Sequence, residues 1–369
     1  MLKLTASSES RQPLHDRAEW GTARLLAGFR QVLGIKKIYL DRSFLSLIVA
    51  VILFGALLAG LYGEEARFSV LVYPATATIL AITLGGAWFI LYALYTMLIL
   101  RPVYPIRHVA KSMARGISAI GLVRMVVVII TFTLFLSAVS SLKSLIPAFD
   151  PFHWDPFLAR LDASLYGGVE PWRWLQPLLG HPMVTRTINI AYNVWFFIMI
   201  GVLLWQMVDV RHPRRREQFL LMFVLIWVVN GLILATLLSS VGPCFYGLLL
   251  PNEPNPYAGL MAYLHHANTI TPIWAVPTQD HLWDLYQKSA LGIGSGISAM
   301  PSMHISMAWL LFLFARQVHR YAGWVMLAYV LVIMVGSVHL GWHYSIDGYV
   351  SIITTSLLWV GVSLWCRRR

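Results

Sequence analysis

The chain has 369 residues, of which 58% are hydrophobic and only 12% charged, with a formal net charge of +12. Soluble domains carry about twice that charged fraction, so a soluble enzyme is excluded. Apolar runs of about 20 residues mark membrane-crossing helices, where a β-barrel would show short alternating strands.

Residues 1–42 form a polar, basic arm in which Trp20, Leu26, Phe29 and Leu33 either share one face of an interfacial helix or belong to a partly ordered tail. Eight apolar runs follow, at about 43–62, 69–100, 118–141, 187–208, 219–240, 303–317, 322–341 and 346–365. The second exceeds one crossing, so it tilts, kinks near Gly85–Gly86 or projects beyond the bilayer. The expected fold is an all-α polytopic membrane protein: a bundle of about eight transmembrane helices, with residues 43–369 as the transmembrane domain and a six-helix catalytic core over about 118–369. Cys244 and Cys366 lie near opposite helix ends and imply no disulfide framework.

Charge orients this bundle. With the N-terminus inside, the arm and alternate loops, carrying Arg101 to Arg115, Arg211 to Arg216, Arg316, Arg320 and Arg367 to Arg369, hold most of the 28 Lys and Arg residues. The opposite segments hold only Arg67, Lys143, Arg160, Arg173, Arg186 and Lys288. This is the positive-inside asymmetry, and it places both termini in the cytoplasm. The basic balance therefore reports topology and attraction to anionic lipid, with no nucleic-acid partner implied.

The chemistry lies near the C-terminus. PSMH (Pro301 to His304) opens the sixth run at its outer end, and HLGWHYSID (His339 to Asp347) joins the seventh to the eighth at the same face. Histidine and aspartate are costly in a bilayer, so such a cluster marks a functional site. His339, His343 and Asp347 recur every four residues, as on one side of a helix. A carboxylate near His343 fixes its tautomer and leaves the other ring nitrogen as a nucleophile. Pro301 and Ser302 begin a helix whose free N–H groups suit a phosphate, and His304 is placed to protonate a leaving oxygen. Gly292, Gly294 and Gly296 would let backbone amides approach an anion. Tyr192 and Asn193 either line the site or pack between helices.

PSMH followed by HYSID resembles the second and third motifs, PSxH and H-x-x-x-D, of the type 2 phosphatidic acid phosphatase superfamily. The HYSID form is most similar to its inositolphosphotransferase branch, which includes the inositol phosphorylceramide synthases, and VGPCFYG (Val241 to Gly247) resembles a Gly-Pro-aromatic motif of that branch. The resemblance implies a metal-independent and cofactor-free reaction through a phosphohistidine on His343. Asp347 would orient that ring, His304 would act as general acid and then base, and Ser302 would bind a phosphate oxygen. The substrate would be a phospholipid or lipid phosphate, and the acceptor a lipid alcohol for a transferase or water for a phosphatase.

Two departures stand out. No K-x6-RP string precedes Pro301 in the expected loop, and Ser337 occupies the place of an arginine six residues before the nucleophile. Arg186, Arg173, Lys288 and His339 are the candidate substitutes. Arg186 and His339 join Ser302 as expected substrate-binding residues, although His339 equally suits helix packing. A metal site built on His-x3-His and a midplane transporter site are the competing classes. The first lacks the dense histidine clusters of membrane di-iron enzymes, and the second lacks an internal repeat. The reading is an enzyme embedded in the membrane with its site on the extracytoplasmic face.

Overall fold

A computed structural model describes residues 41–368. The arm over 1–42 lies almost wholly outside the described residues. Those described form helices and connecting loops with no strand among them. In chain order the helices are α1 Arg42–Leu61, α2 Pro74–Leu100, α3 Pro105–Ile120, α4 Leu122–Phe149, α5 Asp155–Leu165, α6 Pro171–Leu179 and α7 Pro182–Val208. They continue with α8 Pro213–Leu237, α9 Ala258–Ile270, α10 Ala275–Gln287, α11 Met303–Val318, α12 Arg320–His339 and α13 Ser345–Arg367.

Seven of these (α1, α2, α4, α7, α8, α12 and α13) are long and apolar enough to cross a membrane, and α11 is a shorter apolar helix. The chain is thus an all-α polytopic membrane protein. Several helices begin earlier than their apolar runs, because proline sets the start: Pro182 opens α7 and Pro213 opens α8. Hydropathy marks the stretch that suits lipid, whereas a proline marks where the helix begins.

The contacts divide the chain into two units. One contains residues 86–127. Here α2 ends in a wider turn over Thr96–Leu100, with Arg101 in the left-handed region at φ 43°. The basic stretch that follows, read from sequence as a loop, is the helix α3. Arg107, Lys111 and Arg115 recur on it every four residues, and its Ser112 Oγ accepts from Tyr92 at 2.9 Å.

The other unit contains residues 41–85 and 128–369 and carries the candidate site. At its centre α11 packs against α7, α8, α12 and α13. Ten of its residues are buried, including Met303, Ile305, Leu310 and Phe314, as expected of a helix enclosed by neighbours on most sides. The helix is 16 residues long and begins at the site. The small residue Gly348 of α13 allows close approach, because a Cβ there would lie 2.6 Å from Ile305 Cδ1.

Candidate active site

The site forms where α11 and α13 begin side by side. Ser302 caps α11, its Oγ accepting from the Ile305 amide at 3.4 Å. The Ser302 carbonyl accepts from Ser306 Oγ of α11 at 2.8 Å and from Ser351 Oγ of α13 at 2.9 Å. These bonds hold the two motifs in register. Ser302 is fully buried at the base of the site.

His343 stands in the short turn before α13. Its Nδ1 lies 2.8 Å from the Ala299 carbonyl and 3.3 Å from Asp347 Oδ2. A carbonyl oxygen only accepts, so Nδ1 carries the hydrogen and Nε2 keeps a free lone pair. Asp347 Oδ2 also accepts from the Tyr344 amide at 3.1 Å. One carboxylate therefore orients the imidazole and caps the helix that holds it.

His304, in the first turn of α11, faces His343 with ring centroids 6.0 Å apart. Its ring stacks on Tyr192 at 4.6 Å and packs against Trp195 at 4.4 Å, both from α7. Tyr192 thus lines the site, whereas the Asn193 side chain bonds back to the Asn189 carbonyl at 2.7 Å.

The other expected residues lie apart from this pair. His339 ends α12 with its Nε2 2.9 Å from Thr185 Oγ1, which is 2.6 Å from Tyr263 OH, so it joins a buried network between helices. Arg186 is exposed and donates to Thr271 Oγ1 at 3.2 Å. The glycine loop also differs from expectation: the Gly294 amide donates to Tyr73 OH at 3.0 Å. Gly296, at φ +95°, seats directly on α4, where a Cβ would lie 2.5 Å from Lys143 Cβ. Its lack of a side chain serves helix contact. Among the described residues, no group of three or more His, Cys, Asp or Glu side chains is arranged to hold a metal ion.

A family model described as the PAP2 superfamily matches residues 156–361, more than half of the chain. The chain belongs to the PAP2 superfamily. Nothing among curated proteins or solved structures matches it. As a PAP2 protein it is a lipid enzyme of the phosphatase and phosphotransferase type.

The PAP2 match begins within α5, a short helix whose role the sequence did not announce. Asp155 accepts from the Val241 and Gly242 amides, each at 2.9 Å, and from Tyr344 OH at 2.8 Å. Asp162, two turns later, accepts from the Ser345 amide at 3.1 Å, from the Ile346 amide at 3.0 Å and from Ser345 Oγ. Burial is the largest influence on both carboxyls and pushes them up from the ordinary value, while these hydrogen bonds pull the other way. Together they hold the residues immediately after His343.

Gly242 completes this support. It sits at φ +87°, and a Cβ there would lie 2.8 Å from the Trp342 carbonyl and 2.9 Å from Ala299 Cβ. Next to it, the Cys244 amide donates to the Gly341 carbonyl at 2.9 Å. The Gly-Pro turn is thus packed against both segments that orient His343. The only sequence signals were the Asp-x6-Asp spacing in α5 and the glycine before Pro243.

Proposed function

We propose that this protein is a lipid phosphotransferase that works through a phosphohistidine at His343. Its best-supported reaction is transfer of a phospho-headgroup, such as inositol phosphate, from a phospholipid to a lipid alcohol. With water as acceptor, the same site acts as a lipid-phosphate phosphatase. The observation that carries the reading is the His343 ring: Nδ1 is engaged by Ala299 and Asp347, and His304 stands across from it.

In the first step Nε2 of His343 attacks phosphorus. The bond to the leaving oxygen breaks as protonated His304 supplies its proton. The acceptor hydroxyl then enters, and neutral His304 takes its proton while the new oxygen displaces His343. The proton that left His304 is thereby replaced, and Nδ1–H is never lost. Asp347 stabilises the ring while it carries the phosphoryl group. Ser302, whose Oγ accepts from Ile305, retains its own hydrogen to donate to a phosphate oxygen.

The transferase reading is favoured by the absent first motif and by Ser337, whose hydroxyl lies 3.4 Å from Tyr192 OH where a guanidinium would stand in a phosphatase. The site faces the extracytoplasmic side in this reading, which follows from the charge asymmetry of the loops. The deciding experiment supplies headgroup-labelled phosphatidylinositol with and without ceramide or diacylglycerol, with His343→Ala protein as control. Label in a new lipid only when the acceptor is present establishes transfer. Acceptor-independent release of soluble inositol phosphate establishes hydrolysis. No turnover of that donor rejects the inositol-phosphate assignment.

A further inference from the structure

We propose that Lys143 supplies the phosphate-facing cation of this site, and that the cleft beside it binds one hydrocarbon chain of the lipid phosphate. The inference rests on the lipid-phosphate reading above and assigns a residue that lies outside the PAP2 match, with a cleft that α2 and α4 form together with helices inside it.

The case begins with the cations assigned to the site's side of the membrane. Arg67 is bound to Glu64 and to the Ser144 carbonyl, Arg173 to Glu170, Arg186 to Thr271 and Lys288 to Asp284. Arg160 is exposed. Lys143 alone of this set is half-buried without a hydrogen bond or ion pair among the described residues. A cation snorkelling to water would be exposed. Lys143 instead lines a cleft together with Trp195, whose ring packs against His304.

Its placement is built. Gly296 packs on the Lys143 backbone, and Ser140 Oγ of the same helix donates to the Ser295 carbonyl at 3.4 Å. Tyr73 OH, which receives the Gly294 amide, donates to Ser140 at 3.2 Å. The same loop continues to Ala299, whose carbonyl orients His343. One segment therefore positions both the cation and the nucleophile.

From Lys143 a cavity of about 300 Å³ runs between α2, α4, α7 and α8, lined by apolar residues including Leu80, Leu136, Phe196, Met199 and Trp227. Trp195 lines it and also packs against His304, so one side chain borders both cleft and site. Phe196 and Ile293 lie exposed at its rim, as a lateral opening toward lipid requires. A cation at one end and hydrocarbon along the remainder are complementary to an alkyl phosphate.

The test uses the full chain in nanodiscs and dodecyl phosphate carrying a diazirine at the end of its chain. Photolabel is expected on peptides of α2, α4 and α7. Lys143→Gln should raise the half-saturating concentration at least about ten-fold, as loss of a charge-assisted phosphate contact implies, and Lys143→Arg should restore much of it. Dodecanol with the same photoreactive end should label the cleft equally in both proteins. Without any variant, inorganic phosphate should compete with dodecyl phosphate and leave dodecanol labelling unchanged. Label elsewhere, or equal labelling by dodecyl phosphate in wild type and Lys143→Gln, overturns the inference. Labelling is read without turnover, so the two readings fail separately. His343-dependent turnover without cleft labelling removes only this inference. Cleft labelling without any such turnover removes only the catalytic reading.

Discussion

At His343 the decisive quantity is which ring nitrogen is free. A carbonyl 2.8 Å from Nδ1 leaves only Nε2 for the proposed attack, so in that reading removing the ring removes the nucleophile. We expect His343→Ala to abolish turnover and His304→Ala to lower it by about 10²–10⁴-fold, the usual contribution of a positioned acid and base. Full activity in either variant, measured by labelled-lipid product formation, refutes the assignment. Asp347→Asn keeps the size of the side chain but loses the charge facing the imidazole, and kcat should fall with KM little changed. Vanadate, which forms a pentacoordinate adduct with a histidine nucleophile, should inhibit, and a chelator should leave the rate unchanged. A rate abolished by chelator and restored by a divalent cation would favour the metal-site alternative.

At the scale of elements, α5 acts as a clamp on the start of α13. Asp162→Ala would leave the Ser345 amide, Ser345 hydroxyl and Ile346 amide without their acceptor. Each buried donor so stranded costs about 1–3 kcal/mol, so a loss of roughly 3 kcal/mol or more is expected. Thermal unfolding in detergent measures it, and an unchanged midpoint would show that α5 does not bear on α13. Gly242→Ala tests the other support. Its Cβ would collide with Trp342 and Ala299 at a left-handed backbone position, so kcat should fall through displacement of His343. The glycine loop taught the opposite lesson. Its spacing suggested an anion cradle, but the Gly294 amide is taken by Tyr73 and Gly296 is held against α4.

For the whole molecule, the motifs stand where α11 and α13 begin, and the extracytoplasmic placement of that end is the proposal that loop charge supports. Both native cysteines are buried, so single introduced thiols report topology cleanly. Glu253→Cys should react with a membrane-impermeant maleimide in intact cells, while Arg214→Cys should react only after permeabilisation. Both positions are exposed in the fold. The reverse pattern would turn the site inward and require a cytoplasmic substrate.

Hydropathy and short motif spacing are local properties, and each expected apolar run coincides with an apolar helix to within a few residues at most ends. PSMH and HYSID were legible as motifs for the same reason, and the structure brings the two side by side. The pairing of His304 with His343, the clamp of Asp155 and Asp162, and the place of Lys143 in the cleft bordered by Trp195 were decided only by tertiary structure. The clamp contacts join residues more than one hundred positions apart, and the histidine pair spans one helical hairpin. Such pairings depend on how helix faces pack, and nothing in the local pattern of Lys143 distinguishes it from a lysine that snorkels to water.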